Sequence, residues 1–546
     1  MLRREAFGIR TVKILQIPDT PGSDYAKKCA EIKNPHYDFN EESSGFILKV
    51  NEKKILCRGA NWVPVTPFYD GPTDERVTRI LELSADAGVN MIRIWGGGTF
   101  ETEHFYDECS RLGILVTQDF LMACGRYPEE EQWFLDCLRK EAEYAAHLMR
   151  NKACLMWYSG DNENAVNGCD TDEDYPGRRS ARHAIGPVLA ELDPHREFLP
   201  SSPYGGKKYA SNTVGTTHNT QFLGSDILPY MLSSDCADYK DAWKKFRARF
   251  IAEEPQLGAV SAGTLHRFMT DEDIVDEDDR MWRYHTKTNP GLKTTIFDIT
   301  LHFTKSLLGE FTSGEDRAFK LRYLQYEWVR LTMEQLRREM WFSSGLIYWM
   351  LNDCWPAASG WALIDYYTKP KDVYYAFKRC SAPVVISLDC TNDTFTLTAS
   401  NDGETTDALF TVQAVSKNGV RPILTCREEI PAASAKTVVS FDAHLREGEI
   451  LVAEMHGPAG ADRTFYRFGN LPLVPAEAEL TVNRELRTVT VRAEGYIHAA
   501  ELEGNAVFAD NCFSLMPGEI RTVDYTPLED GEGEITLTAY TLSEMQ

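Results

Sequence analysis

Between residues 46 and 380, short apolar runs alternate with longer amphipathic ones, and that alternation constrains the fold more than any other feature of the chain. ILCRGA (55–60), MIRIW (91–95) and ILVTQDF (114–120) read as strands, separated by helices over TDERVTRILELSADAG, closing on Gly88, and ETEHFYDECSRLG. In the next helix, EQWFLDCLRKEAEYAAHLMR, the residues Phe134, Leu138, Ala142, Ala145 and Met149 recur on one face. CLMWYSG is another strand, and EFLPSS (197–202), NTVGTT (212–217), RARFIAE (247–253) and GLIYWML (345–351) complete the set. Strands apolar on both faces imply a parallel sheet covered by helices. An open doubly wound sheet and a closed barrel both satisfy the pattern; roughly eight such units favour the (β/α)8 barrel.

After residue 381 the texture changes. VVISLDC, TFTLTAS, LFTVQAV, TVVSF and ILVAEMH are alternating strands divided by Asn, Gly and Pro turns, the pattern of an antiparallel sandwich. A Pro-containing boundary at PLVPAEAE (472–479) precedes a second strand set, ELTVN, TVTVRAE and EITLTAY. The reading is therefore α/β plus all-β: a leading segment 1–45, a barrel 46–380, a sandwich 381–473 and a smaller β domain 474–546. Three or so domains suit a chain of 546 residues.

In a barrel, chemistry gathers where the strands finish. The polar residues there are Asn61 and Trp62; Arg93, Trp95 and Gly96-Gly97-Gly98; Gln118 and Asp119; and Asp161, Asn162, Glu163 and Asn164. Later strands add His218 and Asn219, Glu253 and Glu254, and Asn352, Asp353 and Trp355. Two carboxylate stations with amides and aromatic platforms suit glycoside hydrolysis, in which one acid protonates the leaving oxygen and the other attacks or positions water. Partial burial beside Met156 and Trp157 would raise the acid's pKa. Strand-end acids also bind metals or cap helices, and position alone leaves those readings open.

Other classes recede. A net charge of −24 with no basic stripe argues against a nucleic-acid partner. No run approaches a membrane span, and the N-terminus lacks the apolar core of a signal peptide. Thirteen scattered Cys without a CxxC pair read as mostly buried, reduced thiols of a cytoplasmic protein. His104, His147 and His195 have no metal-ligand spacing. CDTDEDYPG (169–177) fails as a calcium loop, with Tyr175 where Gly is needed and Ala181 where Glu is needed. The three glycines after Trp95 fit no phosphate-binding pattern. Neither a metal nor a cofactor is expected.

Several long stretches carry a family resemblance: RGANWVPV (58–65), MIRIWGGGTFETEHFYDECSRLGILVTQDF, YSGDNEN (158–164), FIAEEPQLG (250–258) and YWMLNDCWPAASGWALIDYYTKPK (348–371). The chain resembles the β-mannosidase branch of glycoside hydrolase family two, and FADNCFSLMPGE (508–519) is similar to that branch's closing immunoglobulin-like domain. The resemblance implies a barrel followed by two immunoglobulin-like sandwiches. It makes Glu163 the general acid/base, Asn162 the partner of the sugar 2-hydroxyl and Glu253 the nucleophile of a retaining reaction, with carboxyls about 5–5.5 Å apart. Strand alternation gives Glu253 the facing of Ile251 and sets Glu254 on the other side. Trp95 becomes an aromatic wall of the sugar subsite, and Arg93, Asp119, His218, Asn352 and Trp355 complete the substrate-binding set.

Three departures stand out. Asp161-Asn162 replaces a pair of asparagines, and Asp161 either raises the acid's pKa or engages an arginine. THNTQFLG keeps His218 without the family's neighbouring tryptophans, and Pro255 follows Glu254. The family's jelly-roll and first immunoglobulin-like domains have no counterpart; residues 6–17 match only the tail of the latter, a first strand left without its sheet. A separate N-terminal chain or a homo-oligomer would supply what that strand lacks. The expected substrate is an oligosaccharide with a terminal β-mannose; a β-glucosaminide or β-galactoside, or an inactive carbohydrate-binding fragment, are the alternatives.

Overall fold

The computed structural model describes residues 7–32, 43–68, 73–165, 175–205, 211–218, 231–232, 239–244, 247–276, 278–287, 293–528, 531 and 533–545. Two compact units divide the chain. The first comprises Met1–Ser225, Lys245–Pro255 and Glu339–Trp355, and the second Asp226–Lys244, Gln256–Arg338 and Pro356–Gln546.

The first unit holds all eight barrel strands: Cys57–Trp62, Met91–Ile94, Leu115–Asp119, Leu155–Ser159, Glu197–Leu199, Thr217–His218, Ile251–Pro255 and Gly345–Trp349. Numbered one to eight along the chain, they lie in the order 5-4-3-2-1-8-7-6, and every described ladder between them is parallel. Strands five and six share no ladder among the described residues. They are joined instead just beyond their ends, where Thr216 N–H donates to the Tyr204 carbonyl at 3.1 Å and Ser202 Oγ lies 2.9 Å from His218 Nε2.

The intervening helices form for local reasons. Thr73 and Thr102 cap Asp74–Asp86 and Glu103–Leu112, each hydroxyl accepting a backbone N–H three residues on. Gly113 ends the second helix at φ +76°, a conformation that penalises any side chain. Gln132–Met149 buries Leu135, Leu138, Ala142, Ala145, Ala146 and Met149. Leu135 takes the place expected of Phe134, which stacks on Tyr127. The sixth strand is shorter and later than NTVGTT suggests: Ser211 accepts from Thr213 N and Val214 N, and Gly215 turns at φ +69°, so extended structure begins only at Thr217.

The N-terminal strand is not bare. Val12–Leu15 pairs antiparallel with Ile47–Val50, which pairs onward with Lys53–Ile55. Val12, Ile14 and Val50 pack on the cluster containing Phe46, Met156, Trp157, Phe250 and Ile347. Phe46 meets Trp157 and Phe250 edge-on, at centroid distances of 6.1 and 5.1 Å. Burial of each such side chain contributes about 1.5–3 kcal/mol. One edge of the N-terminal strand is thus paired within the described chain.

In the second unit, two antiparallel sandwiches follow the helix Asp372–Cys380. One sets Val384–Thr391, Thr394–Asn401 and Ser434–Asp442 against four strands between Thr406 and Tyr466, around Phe395, Leu397, Phe410, Val412 and Leu451. Its strand Gly419–Ile430 carries Pro422 at a register shift, tolerated because that strand is an edge. The other, from Leu473 to Leu542, packs two four-stranded sheets around Val489, Val491, Leu502, Phe508 and Leu515. Among the described residues no helix is long and apolar enough to cross a membrane.

Candidate active site

Arg93, on strand two, organises the strand ends of the first unit. Its guanidinium donates to Asp119 Oδ2 at 2.5 Å, Asn162 Oδ1 at 2.6 Å, Asn61 Oδ1 at 2.7 Å and Glu253 Oε2 at 2.9 Å. Arg93 is 1% exposed, so it holds its neighbours in place from beneath. Burial alone would depress its pKa, but Asp119 and Glu253 outweigh that and raise it. Asn61 turns its amide nitrogen to the carbonyls of Ala252, Ile347 and Tyr348, tying strands one, seven and eight together. Asp119 also accepts Gly96 N–H at 3.2 Å, and burial pushes it up to about 6 despite Arg93.

Glu163 stands above this base with φ 58°, a left-handed backbone uncommon for a side-chain-bearing residue. The turn is held by hydrogen bonds across the loops: Asn162 N–H to the Met122 carbonyl at 2.9 Å, Glu163 N–H to the Ser202 carbonyl at 2.8 Å and Cys124 N–H to the Asn162 carbonyl at 2.8 Å. Its Oε1 lies 2.8 Å from His218 Nδ1, which is also 3.4 Å from Glu253 Oε2. Burial drives His218 down to about 3, so the imidazole is neutral. The network then assigns the proton to Nδ1, with Nε2 accepting from the Ser202 hydroxyl. Burial, first, raises both Glu163 and Glu253, while Arg93 opposes it at each.

One carboxylate oxygen from each glutamate and a ring nitrogen of His218 lie within 4.8 Å of one another. Those atoms could also hold a metal ion, which His104, His147 and His195 give no sign of doing. The Arg93 guanidinium on Glu253 Oε2 already supplies positive charge to one of them.

Glu253, rather than Glu254, reaches Arg93 and His218. Simple alternation does not account for this. Strand seven shifts register between Ile251 and Glu254 against strand eight, and between Ile251 and Glu253 against strand six. Such a bulge re-aims the side chains beyond it.

Trp95 packs edge-on against Trp349, 5.3 Å between centroids, and its indole folds back over Gly97, where a Cβ would lie 2.1 Å from the ring. A Cβ on Gly96 would lie 2.5 Å from the Met122 carbonyl oxygen. The glycines therefore admit the protein's own indole and backbone. Asn352 is fully buried and donates to the Val63 carbonyl at 2.9 Å, and Trp355 is half-buried in the loop after strand eight. Asn219 and most of CDTDEDYPG lie outside the described residues.

Asp161 takes neither expected role. Its Oδ1 accepts from Ser201 Oγ at 2.6 Å and Asn164 N at 3.2 Å, while Oδ2 is buried without a partner against Gly177. It forms no ion pair among the described residues, and it is not among the influences on Glu163. Burial raises its pKa from 3.8 to about 8, so the folded state holds a proton that the unfolded chain releases. Stability from this group is present below pH 3.8 and is lost as pH rises towards 8. Asp161→Asn is expected to be more stable than the parent at pH 8, on the order of a few kcal/mol, and to converge with it near pH 4. Urea denaturation at the two pH values measures this; equal stabilities at pH 8 would refute a protonated Asp161.

A mannosidase Ig-fold domain family matches residues 473–545. The chain is 27% identical over 402 residues to β-mannosidase B of Emericella nidulans, covering 70% of this chain and 43% of that protein. It is 29% identical over 366 residues to the β-mannosidase of Capra hircus, covering 63% and 41%. The chain is thus similar to β-mannosidases over most of its own length. It spans less than half the length of these curated proteins. The fold of the chain matches that of the β-D-mannosidase of Dictyoglomus thermophilum with a TM-score of 0.83 at 24% identity, over 98% of this chain and 64% of that one. The exo-chitosanase of Amycolatopsis orientalis matches with a TM-score of 0.68 at 18% identity, over 98% and 64%.

The sequence reading missed Cys124, whose Sγ lies 3.4 Å from Glu163 Oε2. It sits in a loop at a strand's C-terminal end, the one positional signal available, but a single Cys among thirteen carries little weight. Ser202, behind His218, and Trp349, beside Trp95, were also missed.

Proposed function

We propose that this chain is a retaining exo-β-glycosidase that removes terminal β-mannose from oligosaccharides. The observation that carries the reading is the approach of Glu163 and Glu253, with carboxylate oxygens within 4.8 Å. Double displacement uses carboxyls about 5–5.5 Å apart, whereas single displacement needs a wider gap for water. The choice of mannose rests on the named relatives.

In the first step Glu253 attacks the anomeric carbon while the Glu163 carboxyl protonates the glycosidic oxygen, whose bond to that carbon breaks. Arg93 donates to Glu253 Oε2, with His218 Nδ1 3.4 Å from the same oxygen, leaving Oε1 to attack. In the second step the ionised Glu163 takes a proton from water, whose oxygen displaces Glu253. Arg93 occupies Asn162 Oδ1, so the amide nitrogen is the atom offered to the 2-hydroxyl. Arg93 and Asp119 serve by holding these groups, and Trp95 with Trp349 forms an aromatic wall. The eleven described cysteines carry free thiols, the state that a cytoplasmic setting maintains.

Both limbs of the kcat/KM–pH profile should lie above the ordinary glutamate value. Activity is lost on the acid side as Glu253 gains a proton, and on the basic side as Glu163 loses its own. Proton NMR of aryl β-mannoside hydrolysis should show the β-anomer first, and Glu163→Gln should cost about 10²- to 10⁴-fold with poor leaving groups and far less with activated ones. An α-anomer formed first, or no turnover across aryl β-mannoside, β-glucosaminide and β-galactoside, would overturn the proposal.

A further inference from the structure

Cys124 is exposed, yet its Sγ contacts two members of the cluster, Glu163 Oε2 at 3.4 Å and Asn162 Nδ2 at 3.4 Å. Its backbone is left-handed, φ 50°, as is that of Glu163, and its N–H bond to the Asn162 carbonyl fixes the two loops together. We infer that Cys124 is a positioning residue for Glu163: its sulfur accepts the Asn162 amide hydrogen and donates S–H to Oε2, so that each oxygen of the carboxylate has its own donor. The inference rests on the reading of Glu163 as acid/base.

The chemistry follows from the protonation states. Although the residue is exposed, loss of water around the sulfur where it meets Glu163 and Asn162, and then the Glu163 charge, push the Cys124 thiol up to about 12, so it remains a neutral donor across the working range. A donor to the ionised form stabilises that form, and the thiol offsets part of the burial that raises Glu163. When Glu163 is protonated, the same sulfur can accept. The pair is faced by His218 from strand six, Glu253 from strand seven and Arg93, paired with Asp119, from strands two and three. A continuous path therefore runs Arg93–Asn162–Cys124–Glu163, joining the amide that meets the sugar to the acid that protonates its leaving group.

The test has two arms. In the first, iodoacetamide alkylation of the intact chain is followed peptide by peptide against pH. Glu163→Gln removes the neighbouring charge, and Cys124 should alkylate about tenfold faster at pH 8, while the exposed Cys137 serves as an unchanged internal control. Equal Cys124 rates in parent and variant overturn the inference whether or not any glycoside is turned over. In the second arm, Cys124→Ala should move the basic limb of kcat/KM to higher pH and Cys124→Ser should restore it; an unmoved limb in the alanine variant also overturns it. A parent inactive on every aryl glycoside defeats the enzymatic reading instead, and the alkylation rates still decide the thiol's contact.

Discussion

Glu253→Gln is expected to lower kcat on an aryl β-mannoside by about 10⁴- to 10⁶-fold, the range found when a covalent nucleophile is removed from an intact site. Glutamine keeps the size of the side chain and an acceptor for Arg93 Nη1, so the fold should persist, and an unchanged circular dichroism spectrum would separate lost chemistry from lost structure. Azide distinguishes the two carboxylates. Without the nucleophile, azide attacks the anomeric carbon directly and yields the inverted glycosyl azide. In Glu163→Ala it attacks the glycosyl-enzyme and yields the retained one. Full activity in Glu253→Gln, or a retained azide product from it, would remove Glu253 from the role.

Arg93→Met should be the most destabilising single change at the site. It strips the charge partner from Asp119 and Glu253 and a donor from Asn61 and Asn162, all within the first unit. Breaking a buried ion pair from one side costs about 3–5 kcal/mol, because the remaining charge has no solvent. Lysine should rescue little, since one ammonium cannot reproduce a planar fork addressing four side chains. Adding Asp119→Asn to Arg93→Met should recover part of the loss in urea denaturation, as one stranded carboxylate becomes neutral. A double variant no more stable than Arg93→Met would contradict this account.

Much of this was legible in the sequence because barrel strands write their burial on both faces and end in polar residues. Arg93, Asp119, Asn162, Glu163, His218 and Glu253 all come from strand ends, and the structure joins them by direct contact. What escaped was whatever depended on partners rather than period. The bulge that aims Glu253 lies in the pairing with strands six and eight. The neutral character of Asp161 comes from a burial that its neighbours in sequence do not reveal, and it persists against the hydrogen bond of Ser201, forty residues away. The N-terminal strand found its sheet in Ile47–Val50, a match that no local pattern announces.

The seam between strands five and six has a mechanical consequence. Glu163 follows strand four and Glu253 belongs to strand seven, so one arc between them crosses the junction that lacks a ladder among the described residues. The Ser202–His218 contact fastens that junction, and the same imidazole touches both carboxylates. Along that arc the spacing of the two carboxylates is tied to the Thr216–Tyr204 pairing and to one imidazole, and across the strand ends to Arg93.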